Sequence, residues 1–288
     1  MIYSYYPGCS LDGTAKEYNL SLKAICPVLG IELKEVKDWI CCGATSAHQT
    51  SHLLSVSLPA KSLAEVEKEG LDEVVVPCAA CFQRLKTARY ELENSPELLK
   101  DVSVIIDYPF ENKVKVLHPL EIFSSSNVLE LAKRNIKKDL SKLKVVCYYG
   151  CLLTRPPKVM QFDNYEYPLS MDEILSRIGV TVLDWSYKTD CCGASLALTK
   201  SEIVLRLINN IFENAEAVGA DAIAVGCTLC HTNLDTRQEE AKKVYNKNYN
   251  LPIFFFTQLM GLAFGMSAKE LSLHTHFVSP DKLLSKII

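Results

Sequence analysis

No run of more than two consecutive lysines or arginines occurs in these 288 residues, and the formal net charge is −3. A nucleic acid would find no electrostatic footprint. There is no G-x-G-x-x-G, no P-loop and no serine-centred elbow, which leaves nucleotide binding and acyl transfer without a foothold. The ferredoxin run C-x-x-C-x-x-C-x-x-x-C-P is missing too, so electrons are expected from another protein. The opening stretch Met1-Ile2-Tyr3-Ser4-Tyr5-Tyr6-Pro7 has no basic region ahead of an apolar core and is not read as a signal peptide. The most apolar stretch, Pro252 to Met266, is short and interrupted by Thr257 and Gln258. It reads as a buried strand and a core helix rather than a bilayer span. Together these absences predict a cytoplasmic chain with no nucleic-acid partner and no direct membrane insertion.

Cysteine is what the chain has in excess: twelve, of which ten fall into two copies of one pattern. The first copy is Cys9, the pair Cys41 and Cys42, then Cys78 and Cys81. The second is Cys151, the pair Cys191 and Cys192, then Cys227 and Cys230. A chain of this length, 48% apolar, can stabilise itself through its own core, so a disulfide framework is not needed. Metal ligation or redox chemistry is the better use for the thiols. Five per copy is one more than a tetrahedral zinc or an ordinary cubane iron–sulfur cluster takes. That count favours iron and inorganic sulfide, with the adjacent cysteines serving different metal atoms or one sulfur bridging two. Zinc is the competing reading, with four thiolates closing a structural site and the fifth spare. Disulfides or buried free thiols are the third. Cys227-Thr228-Leu229-Cys230-His231 also spells the covalent haem attachment string. The matching segment Cys78-Ala79-Ala80-Cys81-Phe82 lacks the histidine, which argues against haem.

The repeat extends beyond the cysteines. Sliding the sequence on itself by about 149 residues matches Gly30-Ile31-Glu32-Leu33 with Gly179-Val180-Thr181-Val182, and Cys41-Cys42-Gly43-Ala44 with Cys191-Cys192-Gly193-Ala194. A Pro- and Tyr-rich insertion, Pro156-Pro157 to Pro168, lengthens the second copy after Cys151. Short apolar runs predict strands at 2–6, 31–36, 73–76 and 114–117, and at 144–148, 180–183, 222–225 and 253–256. Helical periodicity predicts helices at 15–29, 53–69 and 79–92, with partners at 171–178, 201–218 and 229–244. This alternation predicts an α/β chain of two tandem pseudo-repeated domains with parallel β-α-β sheets, residues 1–140 and 141–288. The join is expected near Ser124-Ser125-Ser126-Asn127 and a charged helix from Val128 to Leu140. Cys9, Cys78, Cys151 and Cys227 then stand at carboxyl ends of strands, where open parallel sheets hold ligands. Helices starting at each C-x-x-C would aim backbone N–H groups at sulfur.

Other candidates are weaker. Cys26 and Cys147 break the repeat and read as small buried apolar residues. His48 and His52 follow the first Cys-Cys-Gly but suit a helix surface. His118, with Glu121 one helical turn on, is a weak candidate proton donor against the plainer reading of a helix-start histidine. Arg84, Arg155 and Lys188 lie near cluster cysteines in sequence, where an anionic substrate could be steered, yet each reads more simply as a solvated charge. His274 and His276 read as tail or interface.

The duplicated Cys…Cys-Cys-Gly…Cys-x-x-Cys array resembles the cysteine-rich CCG domain. A chain with two such domains and no ferredoxin domain resembles the B subunit of heterodisulfide reductase, as do Thr257 to Gly265 and His276-Phe277-Val278. The resemblance implies that each quintet, Cys9, Cys41, Cys42, Cys78 and Cys81 or Cys151, Cys191, Cys192, Cys227 and Cys230, holds one noncubane 4Fe–4S cluster. It implies a coenzyme M–coenzyme B disulfide held between the two clusters, each supplying one of the two electrons that S–S cleavage takes. It further implies electron supply by the reductase's C and A subunits, with a hydrogenase or formate dehydrogenase module in the larger complex. Related lactate-utilisation, glycolate oxidase and fumarate reductase subunits carry similar domains, so the array speaks less clearly about the substrate.

Overall fold

A computed structural model describes residues 1–44 and 46–286. Eight strands form two sheets of four. The first sheet holds β1 (Ile2–Tyr5), β2 (Glu32–Glu35), β3 (Glu73–Val75) and β4 (Lys115–Leu117), in the order β2-β1-β3-β4. The second holds β5 (Lys144–Tyr148), β6 (Thr181–Val182), β7 (Ala222–Val225) and β8 (Ile253–Phe255), in the order β6-β5-β7-β8. Every pairing is parallel, and Tyr5 sits opposite both Glu35 and Val75 as Val145 sits opposite both Val182 and Ala222. The expected α/β class and the duplicated parallel sheets are therefore present.

Helices cover both faces of the central strands, so those strands read as continuous apolar runs instead of alternating ones. All four residues of β7 and all three of β8 are buried. The edge strand β2, Glu-Leu-Lys-Glu, keeps three of its four residues exposed. The helices start and stop on local chemistry. Ser51 caps His52–Lys68 by accepting the Leu54 N–H, and Ser95 caps Pro96–Ile105 by accepting the Leu98 N–H. Gly70 and Gly219, at φ +70° and +78°, turn the chain from helix into β3 and β7.

One expected helix is shorter than its charge pattern suggests. The helix at 128–140 is Ser126–Arg134, closed at Asn135. The backbone N–H groups of Lys137 and Lys138 donate to the Ala263 carbonyl at 2.8 and 3.0 Å, so that segment leaves the helix to dock on the end of Phe256–Ala263 in the second half.

The halves are interlocked crosswise. Helix Phe256–Ala263, which follows β8, packs on Lys16–Val28 of the first half, and Pro119–Phe123, which follows β4, packs on Ser170–Arg177 of the second. Ser21 and Thr257 share a buried hydroxyl hydrogen bond of 2.7 Å across this contact. Tyr18 stacks on Phe255 with ring centroids 4.3 Å apart. Among the described residues no helix is long and apolar enough to cross a membrane.

Candidate functional site

The strand order fixes where chemistry can gather. From β1 the chain runs to β2 on one side, then returns to β3 on the other, which leaves a crevice between the carboxyl ends of β1 and β3. Cys9 lies on the short helix Gly8–Asp12 after β1, Cys41 and Cys42 on the loop after β2, and Cys78 at the N-cap of Ala79–Asn94 after β3. The second half repeats this with Cys151 after β5, Cys191 and Cys192 after β6, and Cys227 at the N-cap of Thr228–Tyr245.

In both halves the sulfurs converge. Cys42 Sγ lies 3.3 Å from Cys81 Sγ, and Cys192 Sγ lies 3.7 Å from Cys230 Sγ. Cys151 Sγ is 4.0 Å from Cys191 Sγ, while Cys9 and Cys41 interact in the first half. Cys81 is also within reach of Cys78, and Cys230 of Cys227. None of the twelve cysteines is bonded to another, and these separations are far longer than the roughly 2.05 Å of a disulfide.

Glycine makes the close approach possible. Gly8 and Gly150 sit at φ +68° and +67°, and a Cβ added to either would stand 2.7 Å from Cys81 Sγ or Cys230 Sγ. The tyrosine three residues before each of Cys9 and Cys151 has a buried ring. The Tyr6 hydroxyl donates to the Ile40 carbonyl at 2.7 Å and the Tyr148 hydroxyl to the Asp190 carbonyl at 2.6 Å. Each bond ties the end of β1 or β5 to the residue just ahead of the Cys-Cys pair. These tyrosines went unnoticed in the sequence, although they align in the repeat.

Backbone N–H groups face the sulfurs. Gly43 N–H donates to Cys41 Sγ at 3.5 Å and Gly193 N–H to Cys191 Sγ at 3.3 Å. Neighbouring thiols divide the acidity between them. Hydrogen bonding from Cys81 leads in pulling Cys78 down to about 6, and bonding from Cys151 leads in bringing Cys191 to about 6. The donors Cys81, Cys151 and Cys230 are pushed up in exchange, chiefly by those same thiol hydrogen bonds. Such a site accommodates negative charge on several sulfurs at once. It suits soft cations.

The remaining candidates fall elsewhere. His118 is fully buried at the N-cap of Pro119–Phe123: its Nδ1 accepts the Leu120 N–H, and its Nε2–H is shared by the Pro77 and Gly226 carbonyls, both at 3.1 Å. Burial pulls its pKa down to about 3. A neutral capping histidine with both nitrogens engaged has no proton to deliver to the thiols, so the donor reading gives way to the structural one. His52 is an exposed partner of Glu91 at 2.6 Å, and His48 is exposed.

Lys188 is not a solvated charge. It is buried, with its Nζ 2.5 Å from Asp172 Oδ1 and 3.2 Å from the Pro168 carbonyl, and Tyr149 donates to the other carboxylate oxygen. Its own carbonyl accepts the N–H groups of Tyr149 and Gly150, which binds the Cys151 turn to the Cys191 loop. Arg155 clamps Thr189 through its carbonyl and hydroxyl. Arg84 lies near enough to Cys42 to favour its thiolate.

His276 is likewise no loose tail. It is buried against His231 and Asp235, and one possible ligand atom from each of the three lies within 4.8 Å of the others. Gln258 anchors its own amide on Phe255 N–H and the Leu271 carbonyl, then donates to His276 Nε2 at 2.9 Å. That bond uses the ring's lone pair and leaves Nδ1 protonated, so the trio is not a ready ligand set. Cys26 and Cys147 are buried, as expected.

The cysteine-rich domain family (CCG) matches residues 3–86 and again 145–235. The chain is 32% identical, over 98% of its length and 98% of the relative's, to the membrane anchor subunit of 8-methylmenaquinol:fumarate reductase from Wolinella succinogenes. It is 26% identical to a protein of Archaeoglobus profundus described as like the B subunit of heterodisulfide reductase, over 94% and 93% of the two chains. To the B subunit of ferredoxin:CoB-CoM heterodisulfide reductase from Methanosarcina mazei it is 25% identical, over 99% and 96%. A solved hypothetical protein from Helicobacter pylori superposes at a TM-score of 0.75 with 14% identity; the match spans 96% of this chain and 52% of that one, and speaks for the fold alone. The names of these full-length relatives support a role as a subunit of an oxidoreductase. With both copies matched, the chain belongs to the two-domain cysteine-rich CCG family.

Proposed function

We propose that the chain is the redox subunit of a multi-subunit oxidoreductase, with one noncubane 4Fe–4S cluster in each half. Cys9, Cys41, Cys42, Cys78 and Cys81 would hold the first, within residues 1–140. Cys151, Cys191, Cys192, Cys227 and Cys230 would hold the second, within residues 141–288. The observation that carries this reading is the convergence of each quintet under a glycine that admits sulfur and excludes a Cβ. The donor set fits the group: all soft thiols, backbone N–H groups directed at them, and no hard ligand among them. When bound, such clusters pass one electron at a time, so two in one chain match a two-electron couple.

The first reading of that couple is a disulfide, coenzyme M–coenzyme B, cleaved to two thiols with electrons from the C and A subunits and a hydrogenase or formate dehydrogenase module. Contact between the two centres favours it: Cys78 Sγ of one half touches Thr228 Oγ1, the residue beside Cys227 of the other, at 3.3 Å. His118 being locked, protons for departing thiolates would come from solvent at the exposed Cys9 and Cys41 side. The second reading is quinol–fumarate electron transfer, favoured by the 32% identity over nearly the whole of both chains.

Iron and acid-labile sulfide analysis of anaerobically prepared protein tests the shared claim, with about eight of each expected per chain. About two zinc and no sulfide would remove it. Paramagnetic resonance of the oxidised protein with each thiol product added separates the readings. A thiol-specific signal supports disulfide chemistry, whereas reduction of the centres by a menaquinol, with thiols silent, supports the quinol.

A further inference from the structure

The two quintets share a plan and differ in what surrounds them. Cys78 lies beside two hydroxyls: Thr228 Oγ1 at 3.3 Å, reaching over from the second half, and Ser10 Oγ at 3.8 Å. Thr228 is buried, and Cys78 Sγ is the partner its hydroxyl finds. At the matching positions of the other half stand Ala79, for Thr228, and Leu152, for Ser10. Neither carries a hydroxyl, and Cys227 Sγ has no hydroxyl partner among the described residues.

Charge differs in the same direction. Arg84 brings a full positive charge toward the first quintet, where Asn233, at the matching position, brings an amide that donates to the Cys192 carbonyl at 2.7 Å and also favours the Cys192 thiolate. Beside the second quintet Asp190 opposes Arg155 near Cys191, whereas Asp190's counterpart is the uncharged Ile40. Solvent adds a third difference, because Cys9 is exposed while its counterpart Cys151 is only half-buried. Hydrogen bonds to ligating sulfur, nearby positive charge and solvent each favour the more negative, reduced form of a cluster. The hydroxyls, the balance of charge and the solvent point to the first half, against the single Asn233 amide beside Cys192.

Resting on the two-cluster reading above, we propose that the first-half site is the more oxidising of the two, and that Thr228, across the domain contact, is a positioning residue that sets this gradient. Electrons entering the chain then settle on the Cys9 quintet before the Cys151 quintet. The second half thus tunes the first through a single hydroxyl, without a reciprocal group from Ala79.

The test is an anaerobic redox titration of the whole chain, followed by paramagnetic resonance, with iron and sulfide measured on the same samples. Two distinct midpoints are expected. Thr228→Val, which keeps shape and removes the hydroxyl, should lower the higher midpoint toward the other and leave the lower one in place. Thr228→Ser should restore the higher value, and Ala79→Thr should raise the lower midpoint. Equal midpoints, or a Thr228→Val shift confined to the lower one, overturn the gradient while full iron content leaves the two-cluster reading standing. Zinc, or iron for fewer than two clusters, brings down both.

Discussion

Two halves built on one plan have placed the same pair of flat rings in opposite order. After the last cysteine the first half has Phe82, and at the N-cap following its fourth strand it has His118. The second half has His231 and Phe255 at those positions. The ring centroids lie 5.5 Å apart in the first pair and 4.2 Å in the second. Packing accepts either order, because both need only a planar side chain under the helix. Polarity does not. His118 spends its Nε2–H on carbonyls from both halves, whereas His231 Nε2 finds no hydrogen-bond partner among the described residues. What holds the sulfurs is therefore repeated, and what surrounds them has diverged.

The strongest way to sharpen that comparison is to break each half at the same glycine. Gly8→Ala and Gly150→Ala each place a Cβ against sulfur in a left-handed backbone that alone costs about 1–2 kcal/mol. Each variant is expected to lose about half of the chain's iron, with the other half's signal kept. Loss of all iron from Gly8→Ala would show that the sites do not stand independently.

A substitution at Lys188 separates the halves next, since its counterpart is Asp38 and the first half has no matching ion pair among the described residues. Lys188→Met strands the Asp172 carboxylate and is expected to cost roughly 3–5 kcal/mol in urea unfolding. Adding Asp172→Leu should recover most of that loss, because a well-packed apolar pair removes the stranded charge.

His118→Leu leaves two buried carbonyls short of a donor and is expected to cost about 1–3 kcal/mol. Its pH signature has a definite sign. Folded His118 titrates at about 3, against roughly 6.5 for an unfolded histidine, so the unfolded chain binds more protons between these values. Stability present above about 6.5 is lost as pH falls toward about 3. Urea midpoints across that window should fall less steeply in His118→Leu than in the parent chain. The smallest effect expected is that of the hydroxyl pair joining the halves: Ser21→Ala or Thr257→Val should each cost about 1 kcal/mol, with coupling in a double-mutant cycle.

Much of this architecture was legible before any coordinates. The strands expected at 2–6 and 222–225 are Ile2–Tyr5 and Ala222–Val225, because buried parallel strands leave unbroken apolar runs between glycine stops. The convergence of five sulfurs was legible as well, since a repeat lets each cysteine be placed twice. Lys188 was not. Its partner Asp172 lies 16 residues back, on a helix beyond β6, and a lone lysine in sequence looks solvated whatever encloses it. His276 failed for the same reason, as the His231 and Asp235 that surround it sit on a helix some forty residues earlier. The shortened helix at 126–134 shows propensity yielding to a tertiary demand, the Ala263 carbonyl that Lys137 and Lys138 reach.

The exchange of helices between the halves makes the covalent bridge redundant. Because Phe256–Ala263 rests on the first half while Pro119–Phe123 rests on the second, each lobe clasps the other from opposite sides. A nick between Lys138 and Ser141 would sever the polypeptide but none of these handholds. Two such fragments would carry, in their mutual grip, the instructions for finding each other again.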